Sequence, residues 1–214
     1  MPELPLFPLR TVLFPQMPLP LQVFEARYRA LLSDCLAKGG RFGVVAIRSG
    51  REVGGPAEPE GVGTVAVITK SVPLSGGRTS LLLVGAERFR ILHLLQDAPY
   101  PRAEVAYLPD SEPDPTSFVL ASEARAALGV YTSRLARLTG RAPSSAPAPT
   151  DPVLLSWLIA SALLVELKHK QRLLELPGAG ARLRQELAVL RREVRLLDLD
   201  LANRAQPAAS YGRN

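Results

Sequence analysis

Hydrophobic and polar positions along this chain follow two periods, and the change falls near residue 110. Between Arg41 and Leu108 the apolar residues form short runs or alternate with polar ones, the pattern of β-strands. Residues 42–47, 62–72, 80–84, 88–91 and 103–108 are the expected strands. Ser75-Gly76-Gly77 is a hairpin signal between two of them, and residues 50–63, rich in Gly, Pro and Glu, read as a loop. Arg88-Phe89-Arg90-Ile91 alternates polar and apolar, as a half-buried strand does. One helix precedes this region. Phe24, Tyr28, Leu31, Leu32, Cys35 and Leu36 form an apolar face over residues 25–38, and Gly39-Gly40 stops it.

Beyond the Pro- and acid-rich stretch 109–115 the period becomes helical. Phe118, Ala121, Ala124, Leu128, Tyr131 and Leu135 predict a helix over 116–138, and residues 140–149 read as a Pro/Ser/Ala linker. Asp151-Pro152 is a helix start, a capping side chain followed by proline at the first helical position. Leu154, Leu155, Trp157, Leu158 and Ile159 leave that helix little polar face, so deep burial is expected. A further helix over 166–176 breaks at Pro177-Gly178, and a last one covers 179–202. In it Leu183, Leu187, Leu190, Val194, Leu197 and Leu201 follow a heptad seam, which suits packing inside a helical bundle or a coiled-coil contact with another chain.

The opening departs from both patterns. Residues 2–20 hold six prolines, interleaved with Leu6, Phe7, Leu9, Val12, Leu13 and Phe14. Proline this dense excludes a helix and a regular central strand, so short extended segments on sheet edges are expected. The whole reads as an α+β chain. A small β-barrel or sandwich with one or two helices occupies 1–112, a helical bundle 113–205, and a disordered tail 206–214.

Composition narrows the function. The 214 residues suffice for one large or two small domains. The single cysteine, Cys35, cannot form an internal disulfide and reads as a buried inert thiol. The start lacks the basic and apolar regions of a signal peptide, and the longest apolar stretch, 152–165, is shorter than the ~20 residues of a membrane span. A soluble, cytoplasmic protein without membrane contact is expected. The net charge is +6, with 12 basic and 10 acidic residues through Asp110 and 14 and 10 after it, so no block of like charge demands an acidic partner.

Chemistry-bearing motifs are missing. No lysine follows the glycine pattern of a phosphate-binding loop, no Gly-x-Ser-x-Gly elbow occurs, and Gly178-Ala-Gly180 is better read as a helix break. His93 and His169 lie on different predicted elements without companion ligands, and Glu25, Glu87 and Glu104 are isolated acids. The expectation is a non-catalytic chain with no metal and no cofactor. Arg184, Arg191 and Arg195 share one flank of the last helix, but Glu186 and Glu193 are interleaved and aromatics are scarce, so this reads as a solvated face.

The segment from Leu4 to Tyr28, Leu-Pro-Leu-Phe-Pro-Leu-Arg-Thr-Val-Leu-Phe-Pro-Gln-Met-Pro-Leu-Pro-Leu-Gln-Val-Phe-Glu-Ala-Arg-Tyr, resembles the start of the LON substrate-binding domain, the N-terminal domain of ATP-dependent LON proteases. Gly63-Thr64, residues 84–91, Ala103-Glu104-Val105, Asp151-Pro152, residues 170–175 and Arg182-Leu183 extend the resemblance over about 4–202. Gln16 stands where glycine is expected. The resemblance implies a PUA-like β-barrel followed by a helical bundle, and recognition of unfolded or tagged protein segments. It carries over no catalytic residue, since no position here matches the ATPase or protease motifs.

The leading expectation is therefore a polypeptide-binding module, an adaptor or chaperone-like protein working alone or with a protease or chaperone, as monomer or homodimer. Leu13, Phe14, Met17 and Leu19 are its candidate contacts, an apolar cluster that prolines keep from regular structure. The alternative is RNA binding, since PUA-like barrels bind RNA in other families; Arg88, Arg90, Arg184, Arg191 and Arg195 would carry it.

Overall fold

The computed structural model describes residues 2–55, 57–95, 99–140 and 147–205. The linker expected at 140–149 falls partly, and the tail at 206–214 wholly, outside them. Six strands, β1 (Glu3–Leu9), β2 (Pro18–Val23), β3 (Arg41–Gly50), β4 (Ala57–Leu74), β5 (Arg78–Leu95) and β6 (Arg102–Leu108), form one sheet, with α1 (Ala26–Ala37) between β2 and β3. Four helices follow: α2 (Pro115–Thr139), α3 (Pro152–Ala162), α4 (Leu167–Glu175) and α5 (Ala179–Ala205). The chain divides into two compact units, Met1–Glu112 with Ala160–Gly178, and Pro113–Ile159 with Ala179–Asn214. The change of period near residue 110 thus marks one crossing between units, and α4 belongs with the sheet although its sequence pattern is helical.

In the first unit the strands run in the order β2-β5-β4-β3-β1-β6, and β6 also pairs with β5, so the sheet closes on itself and leaves β2 as an edge strand. β1 is not on an edge, contrary to the expectation from its prolines. Its register explains why. Glu3–Pro5 pair with β6 and Leu6–Leu9 with β3, so each residue has a ladder partner on one side only and Pro5 and Pro8 have an open side for the missing donor. Strands β4 and β5 are longer than the pattern suggests. β5 joins the two expected segments at 80–84 and 88–91 into one strand of 18 residues, and β4 takes residues 57–61 from the expected loop. The predicted hairpin forms at Ser75–Gly77, where Gly76 and Gly77 have φ of 72° and 69°, the left-handed region that glycine reaches without strain.

Two apolar clusters fill this unit. Leu6, Val45, Val65, Phe89 and Val105 belong to one; Phe7, Leu13, Phe42 and Leu83 belong to the other, with Tyr28, Leu31, Leu32 and Cys35 from the predicted face of α1. Phe24 and Leu36, expected on that face, are instead about half exposed, at 49% and 50%. α4 lies on β4, where buried Gln171 donates from Nε2 to the Val62 carbonyl at 3.0 Å, and Leu173 and Leu174 are buried.

In the second unit α2 and α5 pack together. Arg191 pairs with Glu123 at 3.1 Å, Arg134 with Asp198 at 2.6 Å, and Arg204 donates to the Leu138 carbonyl at 3.2 Å. The three partners are 68, 64 and 66 residues apart, a nearly constant offset that makes the helices parallel. α2 has its own heptad stripe of buried Ser117, Ala121, Ala124, Leu128 and Tyr131. At that offset the stripe meets the α5 seam, with small residues where the helices begin, which allows close approach. Both helices that open on Asp-Pro are capped, Asp151 as expected and Asp114 in addition: Asp114 Oδ1 accepts from Ser117 N–H at 2.9 Å and Asp151 Oδ1 from Leu154 N–H at 2.8 Å.

The core of this unit contains two charged side chains one helical turn apart. Arg182 is buried, with its guanidinium 3.4 Å from the Trp157 ring centroid and Nε donating to Ser156 Oγ at 3.0 Å. Glu186, expected on a solvated face, is buried and neither carboxylate oxygen has a hydrogen-bond partner. Burial pushes its carboxyl well above the ordinary range, and the Arg182 charge opposes this without reversing it. Such a group binds its proton more tightly folded than unfolded, so its contribution to stability is complete below the unfolded carboxyl pKa of about 4.3 and is lost as pH rises toward the folded value. Glu186→Gln is therefore expected to gain stability relative to the native protein, by roughly 1 kcal/mol or more, as pH rises from about 4.5 to about 7.5. Urea unfolding of both proteins at the two pH values checks this; a pH-independent difference would contradict it.

Candidate functional site

The segment between β1 and β2 carries the expected polypeptide contacts. The Phe14 carbonyl accepts from Met17 N–H at 3.2 Å, with Pro15 and Gln16 between them. Gln16 has φ of 63°, the one non-glycine residue with positive φ among those described. Proline followed by a left-handed residue is the form of a type II turn, whose third position favours glycine. The glycine missing from the sequence at this position thus leaves the turn intact, but in a conformation costing ~1–2 kcal/mol for a residue with a Cβ. Gln16→Gly is expected to raise stability by about 0.5 kcal/mol after the larger chain entropy of glycine is discounted, seen as a higher urea midpoint with unchanged slope.

β5 clamps this turn. Gln16 N–H donates to the Gly85 carbonyl at 2.8 Å, Gly85 N–H to the Met17 carbonyl at 3.0 Å, and Thr64 Oγ1 to the Leu13 carbonyl at 2.6 Å. The result corrects the expected binding cluster. Leu13 and Phe14 are buried, 3% and 1% exposed, because the clamped turn directs them into the core. Met17 and Leu19 are half-buried, and Leu19 packs at the rim of the apolar cluster.

β2 then separates its side chains by face. Leu19, Leu21 and Val23 point toward the core, while Pro18, Pro20 and Gln22 are exposed on the other side. The hydrogen bond from Gly85 to Met17 makes Pro18 and Val84 a non-hydrogen-bonded pair, so the nitrogens of Pro18 and Pro20 face away from β5. The prolines sacrifice no ladder bond and leave the outer edge without donors at both positions, which blocks strand addition there. Pro20 lies opposite Leu82, Leu82 opposite Lys70, and Ser80 opposite Val72. The outer face of β2, β5 and β4 accordingly shows Pro18, Pro20, Leu82 and Val72 to solvent, with Leu82 and Val72 each 39% exposed and Lys70 as a charged neighbour. The alternation of Pro and Leu from 18 to 21 was the sequence signal for this face; the pairing with Leu82 was not.

Of the arginines named for RNA contact, Arg88 and Arg90 belong to the first unit and Arg184, Arg191 and Arg195 to the second. Arg88 is buried and belongs to the framework. Its Nη1 donates to the carbonyls of Leu174 and Leu176, each at 2.7 Å, and its Nη2 meets Asp110 Oδ1 at 2.6 Å. It satisfies carbonyls at the end of α4 that have no intrahelical partner, and its charge complements that helix end. Arg90, two residues on, is exposed. Arg184, Arg191 and Arg195 are exposed on α5, with Arg191 paired to Glu123. Of the seam residues, Leu183, Leu187 and Leu190 are buried, and Val194, Leu197 and Leu201 half-buried.

Cys35 is buried, and burial followed by the nearby Asp34 charge pushes its thiol up to about 11, so it is neutral near pH 7. His93 is exposed on β5 and His169 half-buried on α4. Among the described residues no helix is long and apolar enough to cross a membrane.

Known proteins share this arrangement. The family model for the ATP-dependent protease La (LON) substrate-binding domain matches residues 3–192. Lon protease 2 of Myxococcus xanthus is 34% identical over 206 residues, covering 92% of this chain and 24% of the relative. Lon protease 2 of Syntrophobacter fumaroxidans is 32% identical over 207 residues, covering 95% and 26%. The chain thus spans about a quarter of the length of these relatives. The crystal structure of a Lon N-terminal domain protein from Xanthomonas campestris superposes with a TM-score of 0.66 at 29% identity, covering 88% of this chain and 98% of that one. The N-terminal domain of Mycobacterium avium complex Lon protease, 20% identical with a TM-score of 0.71, shares the fold. With a matching family model over nearly its whole length and a sheet and five helices arranged as in Lon N-terminal domains, the chain belongs to the LON substrate-binding domain family.

Proposed function

We propose that this chain recognises unfolded or tagged polypeptide segments as a non-catalytic module, with an adaptor or chaperone-like role in the cytoplasm. The closed sheet and its edge strand correspond in this reading to a PUA-like barrel, and the α2–α5 pair to the core of a helical bundle. The observation that carries the reading is the outer sheet face around Pro18, Pro20 and Leu82, with half-buried Met17 just before this edge strand and half-buried Leu19 on its core side. An apolar face bordered by a strand edge without donors suits side-chain contacts with a passing chain and resists fixed strand pairing, which favours loose recognition of many sequences. Methionine at its margin adds adaptability.

Fluorescence anisotropy with reduced, carboxymethylated α-lactalbumin tests this, with the native protein and an RNA homopolymer as comparisons. Binding of the unfolded protein alone is expected, weakened roughly ten-fold by Leu82→Asp, the loss expected for a contact worth ~1.4 kcal/mol. Leu82 is solvent-exposed, so the variant should keep its unfolding midpoint. Absence of binding to the unfolded protein, or indifference to Leu82→Asp, would refute the assignment, and RNA binding that falls steeply with salt would support the nucleic-acid alternative instead.

A further inference from the structure

The outer face of β2, β5 and β4 continues to the tip of the β4–β5 hairpin. Leu74, two residues beyond Val72 on β4, is 37% exposed on the same side and lies opposite Arg78. In the other direction Val67, Val84 and Pro18 stand side by side, the two valines half-buried. Pro18, Pro20, Val72, Leu74 and Leu82 therefore share one apolar surface. It is two interstrand spacings wide, ~10 Å, and from Arg78 to Val84 along β5 it runs for ~20 Å. An α-helix has that width, and ~20 Å is roughly four of its turns.

The uncompensated charges of this face have one sign. Lys70 lies opposite Leu82 and Arg78 opens β5 at the hairpin tip; both are exposed. Arg78 donates from Nε to the Ser75 carbonyl at 3.2 Å, and neither cation has an ion pair among the described residues. Residues 4–24 and 61–86, which include all of β2 and the whole hairpin arm, contain no Asp or Glu. At the border Arg41, opposite Val67, is paired with Glu87 at 2.6 Å, and this pair adds no net charge. The face thus keeps the positive charges of Lys70 and Arg78 with no carboxylate to offset them.

A segment bound here has to satisfy its own backbone. A sheet face offers side chains only, and the outer edge of β2 has no N–H at Pro18 or Pro20. An extended segment pressed on the face would lose water from peptide groups that find no partner, whereas a helix pairs them internally. We propose that the occupant of this face is an amphipathic helix, its apolar stripe lying on Pro20, Val72 and Leu82 and its acidic flank facing Lys70 and Arg78. The inference rests on the polypeptide-binding reading and narrows its substrate class to segments that become helical on contact. The apolar stripe supplies affinity, and the two cations select against basic helices.

Three dye-labelled peptides of about 18 residues are the probes, read by anisotropy with the full chain. The first carries Leu at helical spacing with Glu on both flanks. The second is the same peptide with two central residues of its polar face replaced by proline, which breaks the helix and spares the apolar side chains. The third has Lys in place of Glu. The first should bind about ten-fold tighter than the second and about five-fold tighter than the third, the latter ratio being that of two exposed ion pairs. Lys70→Glu combined with Arg78→Glu should reverse the preference between the first and third peptides. Both positions are exposed, so the unfolding midpoint should stay near the native one. Equal affinity for the first two peptides, or a preference for Glu over Lys that survives the double variant, overturns the helical occupant. If unfolded α-lactalbumin still binds through Leu82, only that occupant falls; if it does not, the broader reading falls as well.

Discussion

Replacing Arg88 by leucine is expected to lower the unfolding free energy by about 3 kcal/mol or more, the largest single effect among charged positions of the sheet. The guanidinium is 3% exposed and serves the Leu174 and Leu176 carbonyls together with Asp110. Leucine would fill part of the volume but would remove the donors that Arg88 gives to the carbonyls at the end of α4 and its ion pair with Asp110, and each loss is costly where water cannot replace the partner. Lysine should recover little, since a single ammonium cannot reproduce a planar fork bonding to four acceptors, the Pro109 carbonyl being the fourth. The loss should be concentrated in α4, whose amides would exchange faster than those of β3 and β4, while Arg90→Ala, two residues away and exposed, should stay within about 0.5 kcal/mol of the native protein. Urea unfolding with hydrogen exchange makes the comparison; an Arg88→Leu loss below about 1 kcal/mol would show that the clasp does not hold α4.

Gly85→Ala should cost nearly as much, about 3 kcal/mol, by overpacking against backbone that cannot move aside. A Cβ there would overlap the Phe14 carbonyl oxygen and lie 2.9 Å from the carbonyl carbon and 3.2 Å from Pro15 Cα. Relief requires lifting the turn off β5, which breaks the hydrogen bonds that Gly85 accepts from Gln16 and donates to Met17 and opens the buried sites of Leu13 and Phe14. The change should therefore alter polypeptide binding as well as stability, because Met17, Leu19 and the prolines of β2 take their positions from that clamp. Chemical unfolding and α-lactalbumin anisotropy on the same variant separate the two; retention of both native values would mean that the turn is not anchored through Gly85.

Much of the framework comes from local patterns. The β2–β5 face was legible in part, since alternating Pro and Leu place leucines inward and prolines outward once the segment is extended. One helix start is read from Asp151-Pro152, and the hairpin from Ser-Gly-Gly, because capping and positive φ are demands that a few residues impose on themselves. The α2–α5 pairing was nearly readable, both helices having heptad stripes of buried type, but register came only with the ion pairs that set the offset.

What the chain could not announce is the fate of side chains whose partners are distant in sequence. Proline density excluded a helix in β1 correctly, yet placing that strand inside the sheet required knowing that its two halves pair with different strands. Leu13 and Phe14 look available in sequence and are buried, because the turn is clamped from a strand some seventy residues away. Arg88 alternates like a surface residue and is buried because carbonyls 86 and 88 residues distant need its donors. Glu186 looks like a solvated carboxylate and is enclosed. By itself the sequence determined periodicity, caps, turns and the family, since these depend on neighbours within a few residues or on a pattern spread over the whole chain. Tertiary structure alone decided which charges and apolar groups remain at the surface, because burial is set by long-range pairing that no local pattern encodes.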